Sequence, residues 1–207
     1  SGVTGGRLIS GDSMIFQIDS DDSSGTSSYR FRCNGTADDG SELMRIQENG
    51  RVGIGVTNPS SYWANANNLV VGGLGAVSGI TIATDGNLTG SLIFADSTAA
   101  ADNTRGGLQY NHSNDSMLFR VDNDTKMTIL SGGNVGIGTN SPSEILHLNK
   151  TSGTGCFIRF QNTGGSGVYI GGRSEVMEMY TNGSEKMRIT SGGNVGIGTN
   201  SPDTKLM

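Results

Sequence analysis

The chain is short of the residues that small folds use as staples and enzymes use as machinery: 2 cysteines, 2 histidines and 3 prolines in 207 residues. Cys33 and Cys156 fall in strand-like runs, YRFRC and CFIRF, with no partner at metal-ligand spacing, and read as buried thiols. His112 and His147 are too few and too isolated to supply a nucleophile, base and acid set. Basic charge is also scarce. The 14 Lys and Arg are outnumbered by 19 Asp and Glu and are spread singly along the chain. Binding a phosphate backbone needs clustered positive charge, so no nucleic-acid partner is expected. The longest nearly apolar run, LVVGGLGAV at 69–77, is half a membrane span and contains three glycines, which excludes insertion as a helix. Leu, Ile, Val and Phe number 44, near the level at which chains stay disordered. The net charge of −5 is low, however, and the apolar residues alternate, so the chain is expected to fold.

What the chain has in abundance is glycine, 34 residues without the period of collagen, together with Ser, Thr and Asn for turns. Some of that glycine lies in a repeat. SGGNVGIGTNSP occurs letter for letter at 131–142 and 191–202, and ENGRVGIGVTNP at 48–59 keeps six of the twelve letters. A fixed unit of this kind is one supersecondary element used several times. Taking the closing proline as a ruler divides the chain into modules at 1–59, 60–142 and 143–202. Residues 203–207 then read as the start of a further module, because DTKLM follows Pro202 where SEILHL follows Pro142, and the sequence is expected to continue. The cores at 107–127 and 167–187 align without gaps.

Within a module apolar residues alternate: Leu108 and Tyr110, Met117, Phe119 and Val121, Met127 and Ile129, Val135 and Ile137. Period two marks short strands, and the NHSND, DNDT and SGGN runs between them are turns. The expected fold is all-β, an elongated repeat of short antiparallel strands in meander or sandwich-like modules. Only TAAAD at 98–102 hints at helix. In the VGIG of each motif, both glycines are expected on one strand face, a pattern that marks close approach of another backbone. The proline that follows ends pairing. The motif residues Val52, Gly53, Ile54, Gly55 and Pro59, Val135, Gly136, Ile137, Gly138 and Pro142, and Val195, Gly196, Ile197, Gly198 and Pro202 are thus the candidate structural neck. A module of 60 residues buries little apolar surface, so self-association is expected, with glycine-faced strands of several chains meeting near an axis.

The runs MRIQENGRVGIGVTNP at 44–59, MTILSGGNVGIGTNSP at 127–142 and MRITSGGNVGIGTNSP at 187–202 resemble the shaft repeats of tail-fibre proteins from marine tailed phages, including cyanophages. Similar fibres carry segments like that at 92–124. The resemblance covers most of the chain and departs from the pattern at Arg51 and Val56 of the first copy, so that module is expected to pack differently. It implies an intertwined homotrimeric β-fibre on the virion, partnered by other tail proteins and contacting the extracellular host surface, and in many such fibres a C-terminal self-cleaving chaperone. A bacterial extracellular filament or adhesin, and a carbohydrate-binding or degrading tailspike module, are the alternative readings.

Other chemistry is weaker. GIGTNS resembles the start of a dinucleotide-binding loop, but Ser replaces the third glycine and proline follows where a helix must begin, so no cofactor is expected. The Asp-rich run at 19–25 has the wrong spacing for a calcium loop and reads as a solvated turn, so no metal is expected. The six glutamates lie in turns or on charged strand faces, and no catalytic residue is assigned. Tyr62 and Trp63 sit beside Asn-rich turns. Packing against the corner is the first reading of this pair, and a platform for a host surface glycan the second. Met44, Met127 and Met187 recur at one strand position and read as core.

Overall fold

The structure, a computed structural model, describes residues 16, 27–34, 40–73, 77–99, 104–150, 155–161, 165 and 167–205. Among them are fifteen strands, two single-turn 3₁₀ segments and no α-helix. The Asp-rich run at 19–25 and most of the TAAAD segment lie outside the described residues. The first sheet joins β1 (Ser28–Cys33), β2 (Ser41–Gln47), β3 (Val52–Ile54) and β4 (Leu69–Val71) in sequence order. The second joins β5 (Thr89–Phe94), β6 (Gly106–Asn111), β7 (Ser116–Val121), β8 (Asp124–Ile129), β9 (Val135–Ile137) and β10 (Leu146–Leu148). The third joins β11 (Cys156–Phe160), β12 (Val168–Arg173), β13 (Val176–Thr181), β14 (Ser184–Ile189) and β15 (Val195–Ile197). One unit of the chain, Ser1–Thr81, holds the first sheet, and a second, Ile82–Met207, holds the other two.

Turn chemistry sets each meander. Asp122-Asn123, Ser174-Glu175 and Asn182-Gly183 each place two consecutive residues at positive φ, the hairpin turn whose twist matches that of the strands it joins. The hairpin between β12 and β13 has two loop residues, whereas that between β6 and β7 has four, 112–115. The gapless alignment of the two cores therefore fails in space. Gln109 faces Leu118, yet Glu178, the counterpart of Leu118, faces Gly171 and not Tyr169.

Pairing is antiparallel except at two places. β4 lies parallel to β3, and β10 parallel to β9, against the expectation of antiparallel neighbours throughout. A parallel return usually needs a crossover of a dozen residues or more. Here the strand to be retraced is three residues long, about 10 Å, and the eight residues 138–145 span it without a helix. Each of these sheets consequently takes its last strand from beyond the proline that closes its motif.

The register sorts side chains into two unlike faces, because directly opposed residues project to the same side. On one face of the second sheet runs the row Leu92, Leu108, Phe119, Met127, Ile137, Leu148. The third sheet has Ile158, Ile170, Met179, Met187, Ile197, and the first has Phe31, Met44, Ile54, Val71. The methionines expected in a core sit in these rows and are half-buried. Among the described residues no large apolar side chain is fully buried, and Phe31, Leu92 and Ile197 are 55%, 54% and 72% exposed. The opposite faces carry charged and polar side chains, Arg30, Glu42 and Arg45 in the first sheet, Ser91, Gln109 and Thr128 beside Ile93 and Leu118 in the second, and Arg173, Glu178 and Arg188 beside Phe157, Tyr169 and Tyr180 in the third.

Candidate functional site

The repeated motif folds as a hairpin followed by a corner, three times over. Positive φ at Gly50, Gly133 and Gly193 closes the hairpin, where each of these amides donates to a carbonyl three residues back. The VGI strand follows. Its glycine, Gly53, Gly136 or Gly196, is buried, and a Cβ built there would stand under 3.0 Å from the carbonyl oxygen three residues on, Val56, Thr139 or Thr199. It would also stand 3.4 Å from Cδ of Pro59, Pro142 or Pro202. The close approach foreseen for this glycine is therefore made by the chain's own next turn, folding back over the strand. The second glycine is not on the strand face where the sequence reading put it beside the first. Gly55, Gly138 and Gly198 lie past the strand end at φ of 70°, 75° and 71°, and turn the chain.

The corner is tied to a bulge in the strand that precedes the VGI strand and pairs with it. Each register shift leaves one extra residue, Leu43, Lys126 or Lys186, whose carbonyl is displaced from the ladder. The turning glycine's N–H takes it up: Gly55 donates to Leu43 at 2.8 Å, and Gly138 and Gly198 donate to Lys126 and Lys186 at 3.0 Å. Asn134 and Asn194 close the corner, their Nδ2 donating to the Pro142 and Pro202 carbonyls at 3.2 and 3.0 Å. The first copy differs as expected. Arg51 replaces Asn and reaches instead into the longer connector, donating to Asn67 Oδ1 at 2.9 Å and to Ser60 Oγ at 3.3 Å. Val52, Val135 and Val195 are half-buried, whereas Ile54, Ile137 and Ile197 are exposed on the apolar face.

Tyr62 and Trp63 part company. Tyr62 is half-buried against the connector, its carbonyl accepting from Asn67 Nδ2 at 3.5 Å, whereas Trp63 is 72% exposed between the two 3₁₀ turns Pro59–Ser61 and Ala64–Ala66. His147 has a local role: its Nδ1 accepts the Ser143 N–H at 3.3 Å and closes the approach to β10. His112 packs edge-on to Tyr110 at 4.8 Å. Cys33 and Cys156 are free and half-buried. Among the described residues no group of three or more His, Cys, Asp and Glu could hold a metal, and no helix is long and apolar enough to cross a membrane.

Carboxylate and guanidinium groups order the polar faces. Glu42 accepts from Arg45 Nε at 2.5 Å, and Glu185 from Arg188 Nε at 2.5 Å. These bonds hold both carboxyls below the ordinary carboxylate range. Glu178 is buried beneath Arg173, Arg188 and Tyr180. Tyr180 is pushed up, first by burial and then by its hydrogen bond to Glu178. Around it gather Phe157, Tyr169, Arg159 and Arg173, a cluster that sequence reasoning missed. The alternation of each strand was visible, but which alternate positions meet depends on the two-residue loop at 174–175. A scan against protein-family models finds no match for this chain, and a search of curated proteins finds none.

Proposed function

We propose that the chain is a structural segment of a trimeric phage tail fibre, which supports attachment of the virion to its host. The observation that carries the reading is the apolar row crossing every sheet, left open by the single chain. Full burial of one large aliphatic or aromatic side chain contributes about 1.5–3 kcal/mol, so these rows are a large unused driving force for association. An apolar groove of about 590 Å³, lined in part by Leu146, Leu148, Ile158, Ile170 and Met177, opens on the same side of the second unit. Closed symmetry lets equivalent faces meet without leaving a face uncovered, and the tail-fibre resemblance makes three the number of chains. The work of such a segment is mechanical. It assigns no reaction to the chain, and incubation with host capsule or lipopolysaccharide is expected to leave polymer length unchanged.

Light scattering combined with small-angle X-ray scattering on the full chain tests the proposal. The expected result is an elongated trimer, with Ile137→Asp and Ile197→Asp together shifting it to smaller species, because each puts a charge into the apolar row. A stable monomer of the unaltered chain sinks the reading, as does a trimer indifferent to both substitutions.

A further inference from the structure

β15 is the edge of the third sheet, whereas β3 and β9 are interior strands of theirs. In the first two sheets a strand from beyond the motif's proline runs parallel to VGI: Leu69–Val71 against Val52–Ile54, and Leu146–Leu148 against Val135–Ile137. Both pairs close with the same bonds. The valine N–H donates to the carbonyl just ahead of the added strand, Val52 to Asn68 and Val135 to Ile145, each at 2.8 Å. The isoleucine carbonyl accepts the N–H just behind it, Ile54 from Gly72 at 2.8 Å and Ile137 from Asn149 at 2.9 Å. No described residue pairs with the outer edge of Val195–Ile197, although its motif matches that of β9 letter for letter and its bulge and corner are formed in the same way. Exposure records the difference: Ile54 and Ile137 are 41% and 46% exposed, and Ile197 is 72% exposed. So does the space beside the turning glycine. A Cβ on Gly138 would collide with the Asn149 carbonyl oxygen, whereas one on Gly198 would meet nothing within 4 Å among the described residues.

We propose that the outer edge of β15 docks an extended segment of another polypeptide, running parallel to it and apolar at two positions that flank a third of any kind. Backbone N–H and C=O groups at strand spacing select an extended chain, and alternate side chains supply the specificity. The first and third residues of such a segment oppose Val195 and Ile197 and lie on the apolar row, as Leu69 and Val71 do in the first sheet and Leu146 and Leu148 in the second. The middle residue is Val70 in one and His147 in the other, so the edge does not read it. The residue behind the segment must keep its N–H, which excludes proline there. The edge stands ready for this. Its corner is already closed by the bonds from Gly198 to Lys186 and from Asn194 to Pro202, so docking has little to order on this side. Val195–Ile197 also carries none of the lysine, proline or bulge with which edge strands are guarded against pairing. A second copy of the chain is the poorer donor, because its Leu69–Val71 and Leu146–Leu148 already pair with its own β3 and β9, and lending either opens an equal edge. The inference does not depend on the number of chains in the assembly.

The probe is a capped peptide of the sequence SEILHLNK, residues 143–150, titrated into the full chain and followed by amide-shift NMR. The expected result is binding on the order of 1 mM, with shifts clustered at 194–198. Replacing both leucines of the peptide by serine should abolish measurable binding. Methylating the backbone nitrogen of its asparagine, which removes the N–H that the Ile197 carbonyl would accept, should weaken binding about tenfold. Threonine in place of its histidine should change little. No binding, tolerance of the serines, or shifts of equal size at 135–138 overturns the proposal. Leu206, outside the described residues, stands as far past Pro202 as Leu146 stands past Pro142, which makes the chain's own next residues the rival occupant. Leu206→Gly separates the two. Binding of the peptide by the unaltered chain and the variant alike supports a separate polypeptide, and binding that appears only in the variant overturns the proposal in favour of the chain's own tail.

Discussion

Replacing Gly136 and Gly132 by alanine, one at a time, tests the corner inside a single motif. A Cβ at Gly136 would meet the Thr139 carbonyl oxygen under 3.0 Å, Thr139 Cγ2 at 3.1 Å and Pro142 Cδ at 3.4 Å. The nearest of these is backbone, so the turn must lift from the strand. Lifting it also loosens the bonds from Asn134 to Pro142 at 3.2 Å and from Thr128 to Asn140 at 3.3 Å. Overpacking and one lost hydrogen bond together cost about 2–4 kcal/mol, a melting point lower by roughly 4–15 °C for a chain of this size. Gly132 stands four residues away with nothing within 4 Å of its Cβ position and no positive φ. Alanine there restricts the unfolded chain and should raise the melting point by about 1–4 °C. Circular-dichroism melts at two protein concentrations, a hundredfold apart, read both the sign and the origin of the effect. Because the crowding lies within one chain, the gap between the variants should not change with dilution. If Gly136→Ala melts at or above Gly132→Ala, the fold-back of the turn is wrong. If the gap appears only on assembly, the neighbour that crowds the glycine belongs to another chain.

The remaining expectations concern the same framework. Asn194→Ala removes the 3.0 Å bond to the Pro202 carbonyl and should cost about 1 kcal/mol, with faster hydrogen exchange at the Gly198 amide. Glu42 and Glu185 titrate below their ordinary value of 4.5, so the stability they contribute is fully present above it and is lost as the pH falls through their depressed folded values. Melting points should therefore drop on acidification below about pH 4.5, and Glu185→Gln should flatten part of that slope. A slope unchanged by the substitution refutes the assignment.

The strands and most turns were legible because alternation and turn residues are local. The four glycines of SGGNVGIG were legible as important but not as different. Gly133 and Gly138 serve by positive φ, Gly136 by the turn packed over it, and Gly132 by nothing the structure shows. The degraded copy had already drawn that distinction: ENGRVGIG keeps Gly50, Gly53 and Gly55 and puts Asn49 where Gly132 stands. The parallel return of β4 and β10 could not be read, since it depends on a turn folding back across its own strand. Nor could the aromatic cluster of the third sheet, because a two-residue change in one loop moves a whole strand against its neighbour.

The borrowed last strand has a consequence for how such a chain can be cut, joined or recombined. The twelve identical residues at 131–142 and 191–202 make the motif the natural seam at the level of sequence, but a break at Pro142 leaves Leu146–Leu148 on the wrong side of it. β9 would then present the Val135 N–H, which now donates to the Ile145 carbonyl at 2.8 Å, as a raw edge open to stray pairing. A crossover inside the motif avoids this when the incoming segment brings its own strand of the LVV or LHL kind at the right distance. The seam is interchangeable, and the residues just downstream decide whether an exchange leaves a finished sheet.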